Sequence, residues 1–433
     1  MITEMDETRF ATHSLQDPRL LRILTAALEA VDPYRAVQRN LPEVKGRVFG
    51  LGIGKAAIPM MDALVERIPL SGGLAVTKYA SGLSRTSYTV MEGGHPVPDT
   101  RSIQAGQRVL EFVASLGEND TLVCLISGGG SALVTAPYVP LEVMQELTSM
   151  LLASGARIDE INILRRELDR IKGGGLAQAT KATVISLILS DVIGNPLEAI
   201  ASGPTVQNPT TREDALQVLD AYFGGRTRQT PRDRDSLNSV TQWLRGLREV
   251  DPRKNRGDFK TVRNIIIGDN RRASLAAKEQ AEKEGIHSEV LMNDLQGEAR
   301  AQGVILAQRL RKELAKRSRP FCLIAGGETT VTLRGNGKGG RNQELALAAV
   351  TELGGLSKAM LISLATDGDD GPTDAAGAVV TGETSQRAAE LGLDATGHLS
   401  RNDAYPFFEA LGDLIRSGPT GTNVNDLVFL CAL

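Results

Sequence analysis

The chain alternates between short runs that are apolar throughout and longer segments in which apolar residues recur at helical spacing. A helical pattern at residues 20–30 precedes a strand, a glycine turn and a helix within residues 47–67. The first half then predicts strands at 73–78, 88–91, 121–126 and 183–189, and helices at 102–115, 141–153 and 160–171. Continuous rather than alternating apolar runs are typical of a parallel sheet that helices cover on both faces.

A second series of the same kind follows a polar segment at residues 224–256. We interpret that segment, which contains Pro231 and Pro252, as a connection between domains with one helix around Trp243. Beyond it the pattern predicts strands at 264–267, 289–292, 321–325, 359–365 and 427–430, and helices at 273–284, 298–316 and 343–353. Because 433 residues are too many for one ordinary core, we predict two α/β domains, at residues 1–240 and 255–433.

Composition excludes several classes of function. The net charge of −3, without long basic runs, argues against a nucleic-acid-binding surface. The acidic N-terminus predicts no signal peptide, and no apolar run approaches the length of a membrane span. Cys124, Cys322 and Cys431 are far apart in apolar runs, so we expect reduced core residues. These features predict a cytoplasmic protein with neither nucleic-acid nor membrane partners.

The most glycine-rich stretch of the second half is the loop at residues 335–341, which carries Lys338 and Arg341 and leads directly into a predicted helix. Glycine lets the backbone approach a ligand closely, and a helix N-terminus attracts anions. The loop therefore predicts a site for an anion such as phosphate, and the alternative is a surface turn. Residues 326–330, another glycine-containing segment, lie shortly before it.

A second glycine turn, at residues 52–55, fits a loose form of the dinucleotide-binding fingerprint. The next predicted strand, however, ends at residues 77–79 without the acidic residue that would bind ribose. It is not a Walker A loop either, because Ala56 stands where Ser or Thr would hold magnesium. What remains is Lys55, placed to neutralise a phosphate or a carboxylate. A plain strand-to-helix turn is the alternative.

Two further loops carry candidate ligand groups. Residues 127–131 contain three consecutive glycines flanked by serines, and such a row of backbone amides binds anionic oxygens. His95 lies in a loop framed by glycine and proline at residues 92–99, where its imidazole can hydrogen-bond a substrate carboxylate or hydroxyl group. A structural loop is the lesser alternative for residues 127–131.

Acidic residues follow two of the predicted strands. Asp191 closes the strand at residues 183–189 and is placed to accept a proton or to hold a metal, although it would also serve as a helix cap. Residues 367–374 contain four carboxylates, which repel one another unless solvent or a cation intervenes. Ligation by oxygen alone favours magnesium shared with nucleotide phosphates, and the alternative is a solvated acidic turn.

Together these segments resemble the glycerate 2-kinases with a MOFRL C-terminal domain, a family whose older name is hydroxypyruvate reductase. The blocks that carry the resemblance are GLGIGKA (50–56), GGHPVPD (93–99), SGGGSA (127–132), LSDV (189–192), GGETT (326–330), GGRNQE (339–344), TDGDDG (366–371) and TGTNVNDL (420–427). The resemblance implies two unlike α/β domains with the active site in the cleft between them. It also implies that the N-terminal domain is a Rossmann-like three-layer fold with a mainly parallel sheet.

The same resemblance implies transfer of phosphate from ATP to the 2-hydroxyl of D-glycerate with Mg²⁺ or another divalent cation, and it makes Lys55 and Arg341 the residues most implicated in activity. One departure is visible within residues 162–169, where the family tends to carry His and Ser in place of Glu167 and Asp169. Which loop holds glycerate and which holds ATP stays open at this point. A homodimer also stays open.

The candidate residues are as follows: catalytic, Lys55, Arg341 and Asp191; substrate- or nucleotide-binding, Gly52, Gly54, His95, Ser127, Gly128, Gly129, Gly130, Ser131, Glu328, Lys338, Gly339, Gly340 and Asn342; metal-binding, Asp367 and Asp369. The rival enzymatic hypothesis is an NAD(P)H-dependent hydroxypyruvate reductase. A sugar-acid or nucleotide sensor is the non-enzymatic rival, but a sensor has no use for so many separate anion loops.

Overall fold

The structure of the chain, a computed structural model, describes residues 5–79, 86–224, 230–246 and 259–433. Its strands are β1 (Arg47–Ile53), β2 (Gly72–Thr77), β3 (Thr89–Glu92), β4 (Asp120–Ile126), β5 (Thr183–Leu189), β6 (Val262–Gly268), β7 (His287–Leu295), β8 (Phe321–Gly327), β9 (Ala359–Ala365), β10 (Gly377–Thr381), β11 (Leu414–Ile415) and β12 (Asp426–Ala432). Its helices are α1 (Pro18–Ala30), α2 (Pro33–Asn40), α3 (Ala57–Arg67), α4 (Thr100–Ala114), α5 (Gly130–Leu133), α6 (Leu141–Ala153), α7 (Ile158–Glu167), α8 (Gly175–Gln178), α9 (Arg212–Phe223), α10 (Pro231–Gly246), α11 (Asn270–Lys283), α12 (Ala299–Leu314), α13 (Arg341–Leu353), α14 (Thr384–Glu390), α15 (Ala395–Ser400) and α16 (Ala404–Leu411). Short 3₁₀ helices occur at Glu7–Phe10, Ile200–Ser202 and Phe259–Thr261.

The chain forms two compact units, and both are α/β as predicted. The parallel-sheet unit comprises the described residues of Ala36–Ser190 and Asn195–Ile267. The mixed-sheet unit comprises those of Met1–Arg35, Asp191–Gly194 and Gly268–Leu433. These units differ from the predicted domains at residues 1–240 and 255–433, because the chain begins in the mixed-sheet unit and returns to it briefly after β5.

The N-terminal segment belongs to the mixed-sheet unit through the packing of α1 against α11. The buried residues of α1 form one apolar face, which also packs against the 3₁₀ helix at Glu7–Phe10. An ion pair also joins Arg22 of α1 to Glu284, the residue that follows α11, with 2.6 Å between the guanidinium and carboxylate atoms. Sequence periodicity predicted α1 correctly but carried no information about its partner.

The parallel-sheet unit has its strands in the order β3-β2-β1-β4-β5-β6. The pairs β3–β2, β2–β1, β1–β4 and β4–β5 are all parallel. This is the strand order of the Rossmann fold, in which the chain proceeds outward from β1 and then returns to build the other half from β4. The predicted fold class is therefore confirmed for this unit.

The strand predicted at residues 264–267 exists as β6, but it was assigned to the wrong half. It lies at the edge of the parallel sheet beside β5, where Asn264 exchanges two hydrogen bonds with Thr205, at 2.7 and 3.1 Å. The apolar pattern of a short strand does not indicate which sheet the strand joins. We had therefore grouped β6 with the strands that are nearest to it along the chain.

The polar segment at residues 224–256 was predicted to connect the domains. Residues 225–229 and 247–258 lie outside the described part of the chain, and the rest of the segment forms α10, so the helix around Trp243 is confirmed. This helix contributes Val240 and Leu244 to an apolar core that it shares with α6, α7 and α9. The Trp243 ring also stacks on Tyr138, with 4.4 Å between the ring centroids. The described part of the segment is therefore a packed element of the parallel-sheet unit.

The mixed-sheet unit has the strand order β11-β10-β9-β12-β8-β7. Only the pair β7–β8 is parallel; the pairs β8–β12, β12–β9, β9–β10 and β10–β11 are antiparallel. Alternate residues of β8 and β9 pack with α12 and α13 in one apolar core. Among the helices of the described residues, none is both long enough and apolar enough to cross a membrane.

Candidate functional site

The order of strands in the parallel sheet reverses between β1 and β4, which are neighbours although β2 and β3 separate them along the chain. In open α/β sheets, ligands bind outside the carboxyl ends of the strands at such a reversal. The loops that follow β1 and β4 therefore form the first part of the candidate site. They carry Lys55 and the segment Ser127–Ser131, which we call the glycine nest.

These two loops are held against each other by hydrogen bonds. The amide of Lys55 donates to the carbonyl of Gly128 at 2.9 Å, and the amide of Ala56 donates to Ser127 Oγ at 3.0 Å. A Cβ atom at Gly54 would lie only 2.2 Å from Ser127 Oγ, and Gly54 has a φ of +129°. Only glycine fits this position, so Gly54 is needed for the contact between the loops.

Gly52, a predicted binding residue, lies inside β1 rather than in the loop after it. A Cβ atom there would lie 2.8 Å from Met61 Cγ and 3.1 Å from the carbonyl oxygen of Ala57, both on α3. The missing side chain at Gly52 therefore allows strand and helix to pack closely. Close packing against α3 thus explains why residue 52 is glycine, although this glycine had suggested a dinucleotide-binding turn.

The glycine nest exposes backbone donors beside two candidate side chains. Among the described residues, no hydrogen-bond acceptor is provided for the amides of residues 128–131. A Cβ atom on Gly129 would lie 3.0 Å from His95 Cδ2 and 3.4 Å from Lys55 Cγ, so both side chains lie against the nest. Consecutive open amides beside a lysine form a site for phosphate oxygens. The structure thus brings together Lys55, His95 and the nest. The sequence had predicted these features separately and could not show that they lie close together.

The loop that carries His95 is fixed to the N-terminus of α4. The amide of Gly94 donates to Ser102 Oγ at 2.9 Å, and Asp99 caps the helix. Burial lowers the pKa of His95, and the positive charges of Lys55 and Lys78 lower it further. The imidazole is therefore neutral near pH 7, where it can both donate and accept a hydrogen bond.

Asp191 follows β5, and β5 is the parallel neighbour of β4, as our hypothesis for this residue required. The last described pair of the two strands joins Ile126 to Ile188. Asp191 comes two residues after the end of β5 and is partly exposed. Its role is not decided by this position and stays a prediction.

The second group of candidate residues lies at one edge of the mixed sheet. At this edge β8 and β9 end and the antiparallel β12 begins, with Asp426 paired in register to both Gly327 and Ala365. Glu328, which follows β8, and Asp367, which follows β9, are consequently brought to the same edge as Asp426. Residues separated by about a hundred positions in the sequence thus meet through strand pairing alone.

Arg341, a predicted phosphate ligand, is held by two carboxylates of the protein. Its Nε and Nη2 donate to the two oxygens of Asp426 at 2.6 and 3.0 Å, and its Nη1 donates to Glu328 at 2.5 Å. Although burial opposes it, the hydrogen-bonded charge of Asp426 raises the pKa of Arg341. Asp426 was missed as a site residue; the only sequence signal was an acid at the start of an otherwise apolar strand.

The N-terminus of α13 is capped by Asp370, which was predicted to lie in a metal-binding or solvated loop. Its carboxylate accepts hydrogen bonds from the amides of Asn342 and Gln343 at 3.0 and 2.9 Å. Burial raises the pKa of Asp370 to about 7. A Cβ atom on Gly340 would lie 2.3 Å from the Asp370 carboxyl carbon, which explains this glycine. The helix is therefore not fully open to phosphate, although the amides of residues 339–341 have no acceptor among the described residues.

Two other candidates from this loop have structural partners. The ammonium of Lys338 lies 3.9 Å from the centroid of the Tyr405 ring, and its amide donates to Asp403 at 3.0 Å. Asn342 is buried, and its side-chain oxygen accepts a hydrogen bond from Ser363 Oγ at 2.7 Å. Asn342 thus ties α13 to β9, whereas Lys338 is held at the surface by a cation–π contact.

The four carboxylates of residues 367–374 do not converge. Asp370 faces α13, and Asp374 accepts a hydrogen bond from the Tyr405 hydroxyl at 2.6 Å. In the described part of the chain, no three acidic, histidine or cysteine side chains are arranged to hold a metal ion. Magnesium is commonly bound by one or two carboxylates together with water and substrate phosphates. Asp367 and Asp369 therefore fit an ion that arrives with a nucleotide, but not a site formed by the protein alone.

Comparisons with known proteins identify the family to which the chain belongs. The family model described as "Domain of unknown function (DUF4147)" matches residues 19–231, and the MOFRL family model matches residues 321–426. A glycerate 2-kinase of Pyrococcus horikoshii is 40% identical, with 94% of this chain and 95% of that protein covered. The chain belongs to the glycerate 2-kinase family with a MOFRL domain.

Two further proteins are similar to this chain over most of its length. The crystal structure of a glycerate kinase from Thermotoga maritima matches with a TM-score of 0.86 at 40% identity, covering 95% of this chain and 98% of that one. A protein of Agrobacterium vitis that is provisionally named hydroxypyruvate reductase is 38% identical, with 94% of this chain and 92% of that protein covered. The older name of the family thus persists among its members.

Glu167 and Asp169, the two acids that replace residues typical of the family, both accept hydrogen bonds from other residues of the protein. Asp169 is buried and accepts hydrogen bonds from Lys172 Nζ, at 2.6 Å, and from the hydroxyl of Thr135. Burial opposes ionisation, but the charge of Lys172 outweighs it and lowers the pKa of Asp169. Glu167 accepts a hydrogen bond from Asn208 Nδ2 at 2.6 Å. In this chain Lys172 is therefore neutralised inside the protein.

Replacement of Asp169 by Asn should lower the free energy of unfolding by about 3–5 kcal/mol, because it leaves the ammonium of Lys172 buried without a counter-charge. Chemical denaturation of the full-length variant and the wild type, followed by circular dichroism, measures this difference. Asp159→Asn is the matched control, since Asp159 pairs with Arg157 at the surface. Its cost should stay below about 1 kcal/mol. Equal losses in the two variants would contradict a special role for the buried pair.

Proposed function

We propose that this protein transfers the γ-phosphoryl group of ATP to the 2-hydroxyl of D-glycerate and so forms 2-phosphoglycerate and ADP. The observation that carries the proposal is the row of open amides at residues 128–131 beside Lys55, at the reversal point of a Rossmann-type sheet. The family supports the substrate, since its members named above include a glycerate 2-kinase 40% identical to this chain.

In this reaction the 2-oxygen of glycerate attacks the γ-phosphorus, the new P–O bond forms, and the bond to the β–γ bridging oxygen breaks as ADP leaves. Phosphoryl transfer depends mainly on positioning and on neutralising charge on the phosphoryl oxygens. Lys55 and the nest amides supply this in the parallel-sheet unit, and Arg341 supplies it in the mixed-sheet unit. We assign to Asp191 the role of accepting the proton that the attacking hydroxyl group loses.

A divalent cation completes the charge balance on the nucleotide. Asp367 and Asp369 would hold Mg²⁺, which neutralises phosphate oxygens when it is bound. Asp369 is exposed, and its amide donates to the Asp367 carboxylate at 3.2 Å, so the two acids are adjacent. The other two acids of the loop, Asp370 and Asp374, already accept hydrogen bonds within the protein, which supports the choice of Asp367 and Asp369 as the metal-binding pair.

The alternative is hydride transfer from a nicotinamide cofactor to hydroxypyruvate. Its support is the Rossmann strand order together with the name of the Agrobacterium relative. Against it, β2 ends at Thr77 and continues into Lys78 and Tyr79, so the acid that binds the ribose of a dinucleotide is missing. Gly52, which suggested the fingerprint, serves the packing of α3 instead.

We expect ADP and 2-phosphoglycerate to form when the protein is incubated with D-glycerate, ATP and Mg²⁺. A coupled assay for ADP follows the rate, and mass spectrometry or NMR separates 2-phosphoglycerate from its 3-isomer. A parallel incubation with hydroxypyruvate and NADH or NADPH should leave the nicotinamide absorbance unchanged. Oxidation of the nicotinamide at a comparable rate, without ADP formation, would replace our proposal by the alternative.

Lys55→Ala and Arg341→Ala should each lower turnover by about 10²-fold or more, because each removes a positive charge from the transferring phosphoryl group. Lys181→Ala is the matched control for Lys55 and should keep its activity, because this exposed lysine precedes β5 and so lies at the other end of the parallel strands from the glycine nest. Steady-state kinetics at saturating ATP and glycerate provide the measurement.

The Arg341 variant needs a second control, because it also leaves the Asp426 carboxylate buried without its partner. The double variant Arg341→Ala/Asp426→Asn removes that unpaired charge and should regain stability without regaining turnover. Recovery of turnover in the double variant would mean that Arg341 only neutralises Asp426 and takes no part in the reaction.

The two acids should respond differently to magnesium. Asp191→Asn should lower kcat and leave nucleotide affinity nearly intact, since it removes a proton acceptor, whereas Asp367→Asn should raise the concentration of Mg²⁺ needed for half-maximal rate. Initial rates measured across a magnesium titration separate the two effects. If magnesium rescued Asp191→Asn but not Asp367→Asn, these roles would have to be exchanged.

A further inference from the structure

A cavity of about 310 Å³ opens beside the glycine nest in the parallel-sheet unit. Its walls are the loop at residues 96–98, the nest residues Gly129 and Ser131, and the face of α6 that carries Met144 and Leu152. Volumes near this value are at the lower end of those that hold small-molecule ligands. Of the residues assigned so far to ligand binding, His95, Gly129 and Ser131 line this cavity, and most of its lining has no assigned role.

Among the described residues, none neutralises the guanidinium of Arg165, which lines the cavity. Of its two deep basic residues, Lys172 is paired with Asp169 and also donates to Thr135 Oγ at 3.2 Å. Arg165, on α7, has no hydrogen bond or ion pair with any residue that the structure describes, and burial lowers its pKa. Partial burial of a guanidinium without compensation is unfavourable. A ligand that contacts this group would remove the cost.

Part of the cavity lining is apolar and unusually exposed. Val97 and Leu152 are both 60% exposed, and the partly buried Met144 lies with them. Glycerate is a three-carbon acid with oxygen on every carbon, so it has no surface that would cover these side chains. A purine ring has two apolar faces and a polar edge, and it therefore matches both the apolar wall and a flat cationic group.

We propose that this cavity binds the adenosine portion of ATP, with Leu152 and Val97 against the purine and the phosphates extending over the glycine nest. Arg165 contacts the ring, because a planar guanidinium stacks on aromatic faces and donates to ring nitrogens. The inference rests on the proposed function, which it deepens by assigning the nucleotide to the parallel-sheet unit. Glycerate bound in the same cavity would use Arg165 but would leave the apolar wall bare.

Leu152→Glu should weaken the binding of ADP, because it places a carboxylate where an apolar ring face is expected. Isothermal titration calorimetry of the full-length protein with ADP and Mg²⁺, without glycerate, should show a Kd raised by about tenfold or more. The KM for D-glycerate should not change. Ile158→Glu is the matched control, since Ile158 is 62% exposed on α7 but does not line the cavity, and this variant should bind ADP as the wild type does.

A second variant tests the contact with the ring. Adenosine, which has no phosphates, should displace ADP from the wild type, and Arg165→Gln should weaken adenosine and ADP alike. Unchanged ADP binding in Leu152→Glu would overturn the proposal. A raised KM for D-glycerate in either cavity variant, with ADP binding intact, would assign the cavity to the acid substrate instead and overturn it as well.

These binding measurements do not depend on turnover. If the wild type bound ADP as described but did not phosphorylate D-glycerate, the proposed function would fail while the nucleotide site stood. If it phosphorylated D-glycerate but the cavity variants bound ADP normally, the site assignment alone would fail. Thermal unfolding of each variant, expected within a few degrees of the wild type, excludes loss of fold as the cause.

Discussion

The contact between Gly54 and Ser127 is the constraint on which the candidate site of the parallel-sheet unit depends. Strand pairing already places β1 beside β4, but it does not determine how closely the loops after them approach. With only 2.2 Å between a hypothetical Cβ atom of Gly54 and Ser127 Oγ, any larger residue would push the loops apart. The hydrogen bonds of the Lys55 and Ala56 amides would then be lost, together with the placement of Lys55 against the nest.

The parallel-sheet unit therefore offers positive potential that the protein leaves unsatisfied. The nest amides have no internal acceptor among the described residues, His95 is neutral, and Lys55 is exposed beside them. Such preorganised donors need no rearrangement when a phosphate binds. Deeper in the same unit the opposite principle applies to Lys172, whose charge Asp169 neutralises, whereas Arg165 has no ion pair with any residue that the structure describes.

The mixed-sheet unit meets the same chemical requirement by balancing its charges internally. Asp426 holds Arg341 in a bidentate pair and is almost fully buried, whereas Glu328, the second partner, is 42% exposed. An incoming anion would replace the exposed carboxylate at a lower cost than the buried one, because breaking a buried pair is strongly unfavourable. The buried Asp426 therefore constrains the guanidinium more strongly than the exposed Glu328 does.

The sequence alone determined the elements with strong local signals. Continuous apolar runs gave β5 and β9 at their observed bounds, and helical spacing gave α6, because burial on both faces and an amphipathic stripe are local properties of the chain. The glycine loops at strand ends also followed from local pattern, and their blocks were sufficient for the family resemblance. Lys55 and Arg341 could be identified in this way, because a glycine loop with a basic residue is a motif of only a few consecutive residues.

Only the tertiary structure decided which of these elements meet. The assignment of β6 to the parallel sheet, the packing of α1 on α11, and the burial of Asp370 under α13 depend on contacts between residues far apart in the chain. The local sequence around a carboxylate in a polar loop does not show whether that carboxylate faces solvent, a metal or a helix N-terminus. Its role is determined by the groups that folding brings within hydrogen-bond distance, and no periodicity in the chain encodes them.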